Sequence, residues 1–193
     1  ALCDAVAELH AGFASAGEMA APVIHRDLKP SNIIVSGANY TPDTGMTFSS
    51  LVIIDLGIAR VWREGADADT VKFGTRPYAP PEQYGFGQTS VRSDVYALGA
   101  LLFFCLTGAD PKPGRGMREQ CEADDVPASL ADVICMAMAL DPDKRFASAK
   151  SLGHAARASY ALSSPTPSSA PNAASFQEPP GRRVVCPAPV LPA

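Results

Sequence analysis

The chain has 193 residues, 47% of them apolar, and a net charge of −4. That length holds one ordinary domain with a tail, and the apolar share is enough for a core. The negative balance gives no electrostatic reason to expect nucleic acid as a partner. Five cysteines, Cys3, Cys105, Cys121, Cys135 and Cys186, form no CxxC pair. With no secretory signal in view, they read as reduced thiols of an intracellular, cytoplasmic protein. His10, His25 and His154 stand at no ligand spacing to a cysteine, so a zinc site is not expected.

In chain order, "ALCDAVAELH" places Leu2, Val6 and Leu9 at helical spacing. The first residue is therefore expected to lie inside a helix and, since the chain starts without methionine, to mark a fragment or a start placed too late. "VIHRDLKPSNIIV" (23–35) then sets His, Arg, Asp, Lys and Asn within eight positions between two apolar runs. "NIIV" (32–35) and "LVIID" (51–55) are β-rich and are expected to pair as a hairpin across 36–50. That connector is rich in Gly, Thr and Ser and is expected to be mobile. In "SDVYALGALLFFCLTG" (93–108), Val95 to Leu106 are twelve consecutive apolar or small residues. The run is too short to span a bilayer. Being apolar all round, it reads as a helix buried in a protein core, with Ser90 or Thr89 as N-cap and Gly108 as the stop.

"SLADVICMAMALDPDKRF" (129–146) puts Leu130, Val133, Ile134, Ala137 and Met138 on one helical face, and Asp141-Pro142 is expected to end that helix. Ser148 is placed to cap a further helix through about Tyr160. From Ser163 onward the composition shifts to eight prolines in 31 residues, mixed with Ser and Ala. Such a segment cannot bury enough surface to order itself. The expected organisation is therefore a domain over 1–162 and a Pro-rich disordered tail over 163–193.

Taken alone, "DLKPSN" (27–32) also fits a solvated turn around Pro30. The downstream segments, in their order, argue for an active site: "DLG" (55–57), "GTRPYAPPE" (74–82), "SDVYALG" (93–99) and "DPDKRF" (141–146). This ordered set resembles the catalytic lobe of eukaryotic-like serine/threonine protein kinases, in wording closest to the bacterial ones, over roughly residues 1–160. The fold class implied is mainly α within an α+β family fold. It is a protein-kinase large lobe with a small β-hairpin, plus the disordered C-terminal tail.

Phosphoryl transfer needs an acceptor hydroxyl held in line with the γ-phosphate, and positive charge to offset the negative charge that develops. The resemblance implies ATP and Mg2+ as cofactors. It makes Asp27 the residue that orients the acceptor hydroxyl and Lys29 the cation that reaches the transferring phosphate. Thr75 is the hydroxyl bonded to both, and with Lys29 it points to Ser/Thr rather than Tyr acceptors. Asn32 and Asp55 are the oxygen ligands of magnesium. Leu56 replaces the family's usual Phe and is expected to fill the same pocket, which would leave Asp55 undisturbed. Arg26 is expected to pair with a phosphorylated activation segment, in which Thr70 is the candidate for phosphorylation. His25, Asp94, Glu82 and Arg145 are expected to be structural. His25 would bond backbone, Asp94 would receive backbone N–H groups of the catalytic loop or serve as a helix-start carboxylate, and Glu82 would pair with Arg145.

A protein kinase also grips ATP with a Gly-rich loop, a strand lysine and a helix glutamate, and none of these is found. "GFGQTS" (85–90) lies after "APPE", where the family has no phosphate loop. Three readings are open. The first is a Ser/Thr kinase lobe acting on protein substrates when completed by an amino-terminal lobe, with no membrane segment of its own, although it is compatible with the cytoplasmic part of an anchored kinase. The second is a non-catalytic kinase-like binding module. The third is a small-molecule phosphotransferase, which "GTRPYAPPE" and Lys29 disfavour.

Overall fold

The structure is a computed structural model and describes residues 1–12, 21–37, 39–41, 45–47, 49–61, 74–85, 87–112 and 116–163. Thr70 and the tail beyond Ser163 lie outside the described residues. The helices are α1 (Leu2–Ala11), α2 (Val91–Thr107), α3 (Met117–Ala123), α4 (Ala128–Ala137) and α5 (Ala149–Ser163). The strands are β1 (Val23–Ile24), β2 (Ile33–Ser36), β3 (Asn39–Thr41), β4 (Gly45–Thr47), β5 (Ser50–Ile53) and β6 (Arg60–Val61). They pair as three antiparallel ladders, β1 with β6, β2 with β5 and β3 with β4.

The central element is α2. Ser90 starts it with a reciprocal cap: its Oγ accepts from the Arg92 amide at 3.2 Å, and its own amide donates to Ser93 Oγ at 3.0 Å. Gly108 stops it at φ 70, a left-handed conformation that glycine adopts without penalty. Between the caps, Val95, Leu98, Leu101 and Phe103 are buried, and α2 packs against α1, β1, α4 and α5. Its last turn opens to solvent at Cys105 and Leu106, so it is enclosed along most of its length rather than all of it.

On α4, Leu130, Ala131, Val133, Ile134 and Ala137 form the buried stripe. The helix ends at Ala137, before the Asp141-Pro142 step expected to stop it. Asp141 instead caps a 3₁₀ turn, Pro142–Lys144, by accepting from the Asp143 amide at 3.0 Å. Ser148 begins α5 by accepting from the Ser151 amide at 3.1 Å.

In the hairpin, Ile33 faces Ile53 and Ser36 faces Ser50. The connector expected to be mobile carries a ladder of its own, with Asn39 opposite Thr47 and Tyr40 opposite Met46. Tyr and Thr are good strand formers, and pairing gives the backbone donors of this stretch their partners.

One contact in the core admits no extra atom. A Cβ on Gly99 of α2 would lie 2.6 Å from Ala137 Cβ and 3.0 Å from Met138 Cγ. Gly99→Ala is expected to destabilise by about 1–3 kcal/mol through overpacking, which outweighs the ~1 kcal/mol that alanine gains in helix propensity. Urea titration would register a lower midpoint at unchanged slope.

Candidate active site

The loop between β1 and β2 is held from below by one carboxylate. Asp94, at the start of α2 and fully buried, accepts from the His25 amide at 2.8 Å and from the Arg26 amide at 2.9 Å. Its Oδ2 also meets His10 Nε2 at 2.8 Å. Arg26 takes φ 71, unusual for a residue with a Cβ. Its carbonyl accepts from Gln83 Nε2 at 2.8 Å, so the peptide groups on both sides of this turn are anchored to buried side chains.

His25 is buried too. The Asp27 amide donates to its Nδ1 at 3.3 Å, which puts the ring proton on Nε2, facing the Ile54 carbonyl at 3.2 Å. The loop is thereby tied to the residue just before Asp55.

On this base stands a four-residue polar cluster. Lys29 Nζ donates to Asp27 Oδ2 at 2.6 Å and to Thr75 Oγ1 at 3.1 Å. Thr75 Oγ1 donates to Asp27 Oδ1 at 3.1 Å. Asn32 Nδ2 donates to the Asp27 carbonyl at 2.8 Å and to Oδ2 at 3.1 Å. Asp27 thus accepts from three side chains while 13% of its side chain stays exposed, and Lys29 keeps 24%. A carboxylate with donors on both oxygens, one of them the Lys29 ammonium, is fixed in rotamer, and its exposed part is the side from which a substrate can approach.

Asp55 stands apart from that cluster. It follows β5 at φ 64, is exposed, and accepts from the Gly57 amide at 3.2 Å. No hydrogen bond joins it to Asp27, Lys29 or Asn32 among the described residues. The ladder still brings it near, because the Ile54 amide donates to the Asn32 carbonyl at 2.9 Å. Asn32 and Asp55 therefore sit at the same end of the β2–β5 hairpin. Leu56 does not fill a pocket as expected. It is 55% exposed and edges an open cavity of about 240 Å3 shared with Ala5, Leu9 and Ile53. No described residue covers the outer side of that cavity.

Glu82 and Arg145 are both buried and paired face to face, Nη1 to Oε1 at 2.7 Å and Nη2 to Oε2 at 2.9 Å. Sequence reasoning passed over His10 and Gln83. A histidine at the end of an amphipathic helix and a glutamine after "APPE" read as surface residues, and no periodicity marks their buried partners.

The sequence profile of the protein kinase domain matches residues 2–156. The chain belongs to the protein kinase family. Among relatives, this kinase-family chain is 32% identical over 149 residues to serine/threonine-protein kinase PknD of Mycobacterium tuberculosis, covering 69% of this chain and 21% of that protein. It is 32% identical over 143 residues to serine/threonine-protein kinase PknB of the same organism, covering 66% and 21%. Serine/threonine-protein kinase A of Synechocystis sp. is 36% identical over 111 residues, covering 57% and 20%. The chain spans about a fifth of the length of these curated relatives. No helix among the described residues is long and apolar enough to cross a membrane.

Proposed function

We propose that this chain is the large lobe of a cytoplasmic serine/threonine protein kinase that, joined to an amino-terminal lobe, moves the γ-phosphate of ATP to Ser or Thr hydroxyls of proteins. The observation that carries the reading is the convergence of Lys29, Asn32 and Thr75 on the Asp27 carboxylate. In this reading Asp27 receives the hydrogen bond of the acceptor hydroxyl and aims its oxygen. Lys29 then turns its ammonium toward the transferring phosphate as a point charge. Thr75 holds Asp27 and Lys29 in register.

The residues present fit magnesium. Asn32 spends its amide hydrogens on Asp27, which leaves its side-chain oxygen for a hard cation. Asp55 offers a carboxylate at the same end of the hairpin. No cluster of three or more His, Cys, Asp or Glu side chains gathers among the described residues, so the shell would be completed by phosphate oxygens and water. When bound, magnesium supplies positive charge against the phosphates.

An apolar face beside the site supports the joining lobe. Ile34 is 49% exposed, Val52 48%, Ile54 36% and Leu56 55%. Isolated exposed apolar residues are ordinary, but a group of them next to a polar site marks an interaction surface. The free thiols Cys3, Cys105, Cys121 and Cys135 fit a reducing cytoplasm. Phosphorylation of Thr70, read by Arg26, belongs to the same proposal and rests on the family resemblance alone.

Two measurements test it. In a form of the protein that includes an amino-terminal lobe, labelled phosphate is expected on serine or threonine and not on tyrosine; transfer to neither, with the lobe folded, would favour a non-catalytic binding module. For the 193-residue chain by itself, calorimetry with Mg-ATP is expected to give a Kd on the order of millimolar, about 4 kcal/mol of binding, because no second wall for adenine and phosphates stands among the described residues. Micromolar binding would show that the chain closes its own cleft.

A further inference from the structure

We propose that Cys121 on α3 and Cys135 on α4 are a redox-sensitive thiol pair, which hydrogen peroxide converts into a disulfide that fastens the two helices and a dithiol opens again. The pair takes no part in the Asp27 cluster. The thiols already touch in the reduced protein, where the Cys121 S–H donates to Cys135 Sγ. A second contact supports the register. Arg118, one turn before Cys121 on α3, is ion-paired with Asp132, one turn before Cys135 on α4. The same two helix faces therefore meet twice. Among the described residues no group of three His, Cys, Asp or Glu side chains gathers to hold a metal ion. Two sulfurs without further ligands suit a disulfide better than a metal.

The two sulfurs differ in access and in acidity. Cys121 is fully buried, whereas Cys135 is partly exposed. Burial pushes the Cys121 thiol up to about 11, and Cys135 beside it adds to the rise. Burial raises Cys135 as well, but the Arg118 guanidinium and the hydrogen bond from Cys121 oppose it. The Asp124 carboxylate works against a thiolate at Cys121, and those of Asp132 and Glu122 against one at Cys135. Cys135 therefore ionises first and is the thiol an oxidant can reach. Its thiolate attacks one peroxide oxygen and breaks the O–O bond, giving a sulfenic acid and hydroxide, which takes up a proton to become water. The Cys121 sulfur gives up its proton and attacks the sulfenic sulfur. The S–O bond breaks and a second water leaves. Both thiols are oxidised and the peroxide is reduced to water. A dithiol reverses the step through a mixed disulfide.

The bond would fasten the element that most needs it. α3 has seven residues, and its N-cap Gly116 supplies no side-chain hydrogen bond. So short a helix depends on packing against a neighbour, and α3 packs on α4. It also carries Gln120, which is buried. The Lys112 amide donates to Gln120 Oε1 at 2.6 Å, and Gln120 Nε2 donates back to the Lys112 carbonyl at 3.1 Å. Closing the 15-residue loop from Cys121 to Cys135 ties α3, and through Gln120 the backbone at Lys112, to α4. It also restricts the unfolded chain. In a reducing cytoplasm the pair is open, and a cytosolic disulfide of this kind is transient and redox-sensing.

The test exposes the 193-residue chain to a small excess of hydrogen peroxide, unfolds it in urea with N-ethylmaleimide present, and digests it with trypsin without reductant. No Lys or Arg lies between Glu119 and Asp143, so both cysteines fall in one peptide. That peptide is expected to hold an internal disulfide and no maleimide, and prior treatment with dithiothreitol to restore labelling of both thiols. The rate is expected to rise roughly tenfold per pH unit near neutrality, with the thiolate fraction. The oxidised chain is expected to melt at least about 5 °C higher than the reduced one. With Cys121→Ala the reaction is expected to stop at a sulfenic acid on Cys135, trapped by dimedone. With Cys135→Ala the buried Cys121 is expected to stay reduced under the same exposure. Should an alanine variant fold poorly, Arg118→Gln changes an exposed residue instead and is expected to slow disulfide formation at least about threefold. Oxidation of Cys135 with Cys121 still open to maleimide would overturn the proposal. So would disulfides made instead to Cys3, Cys105 or Cys186, or a bond between the pair that leaves the melting temperature unchanged.

Discussion

Arg145→Met is expected to cost about 3–5 kcal/mol, a large part of the roughly 5–15 kcal/mol that holds a domain of this kind folded. All five guanidinium N–H groups of Arg145 have partners. Nε donates to the Ala139 carbonyl at 2.7 Å, Nη1 to Glu82 at 2.7 Å and the Arg92 carbonyl at 3.0 Å, and Nη2 to Glu82 at 2.9 Å and the Leu140 carbonyl at 3.1 Å. Ser93 Oγ donates to the same Glu82 oxygen at 2.8 Å. One side chain therefore ties the 3₁₀ turn after "APP", the start of α2 and the end of α4. Methionine keeps much of the packing volume but leaves Glu82, 3% exposed, as a lone buried charge. Arg145→Lys is not a rescue, because one ammonium cannot replace the two-pronged contact. The double variant Glu82→Leu/Arg145→Met removes both charges and is expected to recover part of the loss. Urea unfolding of the three variants checks this. A loss below about 1 kcal/mol for Arg145→Met would place the pair in the class of exposed ion pairs.

Local signals carried the helices well. α2 follows from an apolar run between a serine cap and a glycine stop, and α4 from its stripe of Leu130, Val133, Ile134 and Ala137. Both are short-range facts, fixed by neighbours three or four residues away. The pairing of β2 with β5 was legible from two β-rich runs, whereas the β3–β4 ladder inside the connector was not, because Gly, Thr and Ser there matched a loop by composition. The end of α4 was misplaced for a similar reason. Asp141-Pro142 is a strong local stop, yet the helix had already closed on Met138. In the site, Asp27, Lys29 and Asn32 lie close in sequence and announced themselves together. Thr75 joined them only by resemblance, since 46 residues separate it from Lys29. His10 and Gln83 stayed invisible. Their partners Asp94 and Arg26 lie 84 and 57 residues away, and only the packing of α1 and the 3₁₀ turn brings them into contact. The exposure of Leu56 was unreadable because apolar character says what a side chain tolerates and not what covers it.

The second large effect concerns Asp27. Replacing it with asparagine keeps the shape but puts an amide NH2 where a carboxylate oxygen accepts from Lys29 and Asn32. The charge that holds Lys29 is gone, and so is the acceptor for a substrate hydroxyl. Loss of a positioned proton acceptor typically costs 10²–10⁴ in rate, and here the cation beside it is released as well. The cost to folding is expected to be small, about 1 kcal/mol, because Asp27 and Lys29 are partly exposed and water can take the freed groups. The deciding measurement is phosphate transfer from Mg-ATP to a serine peptide by the two-lobed protein, parent against Asp27→Asn, with nucleotide affinity and melting temperature recorded on the same samples. The expected result is a rate lowered by at least about a hundredfold, with nucleotide affinity within about twofold and melting nearly unchanged. Transfer that persists within tenfold of the parent, or a rate lost only because the variant no longer folds, would contradict the assignment of this loop as the catalytic centre.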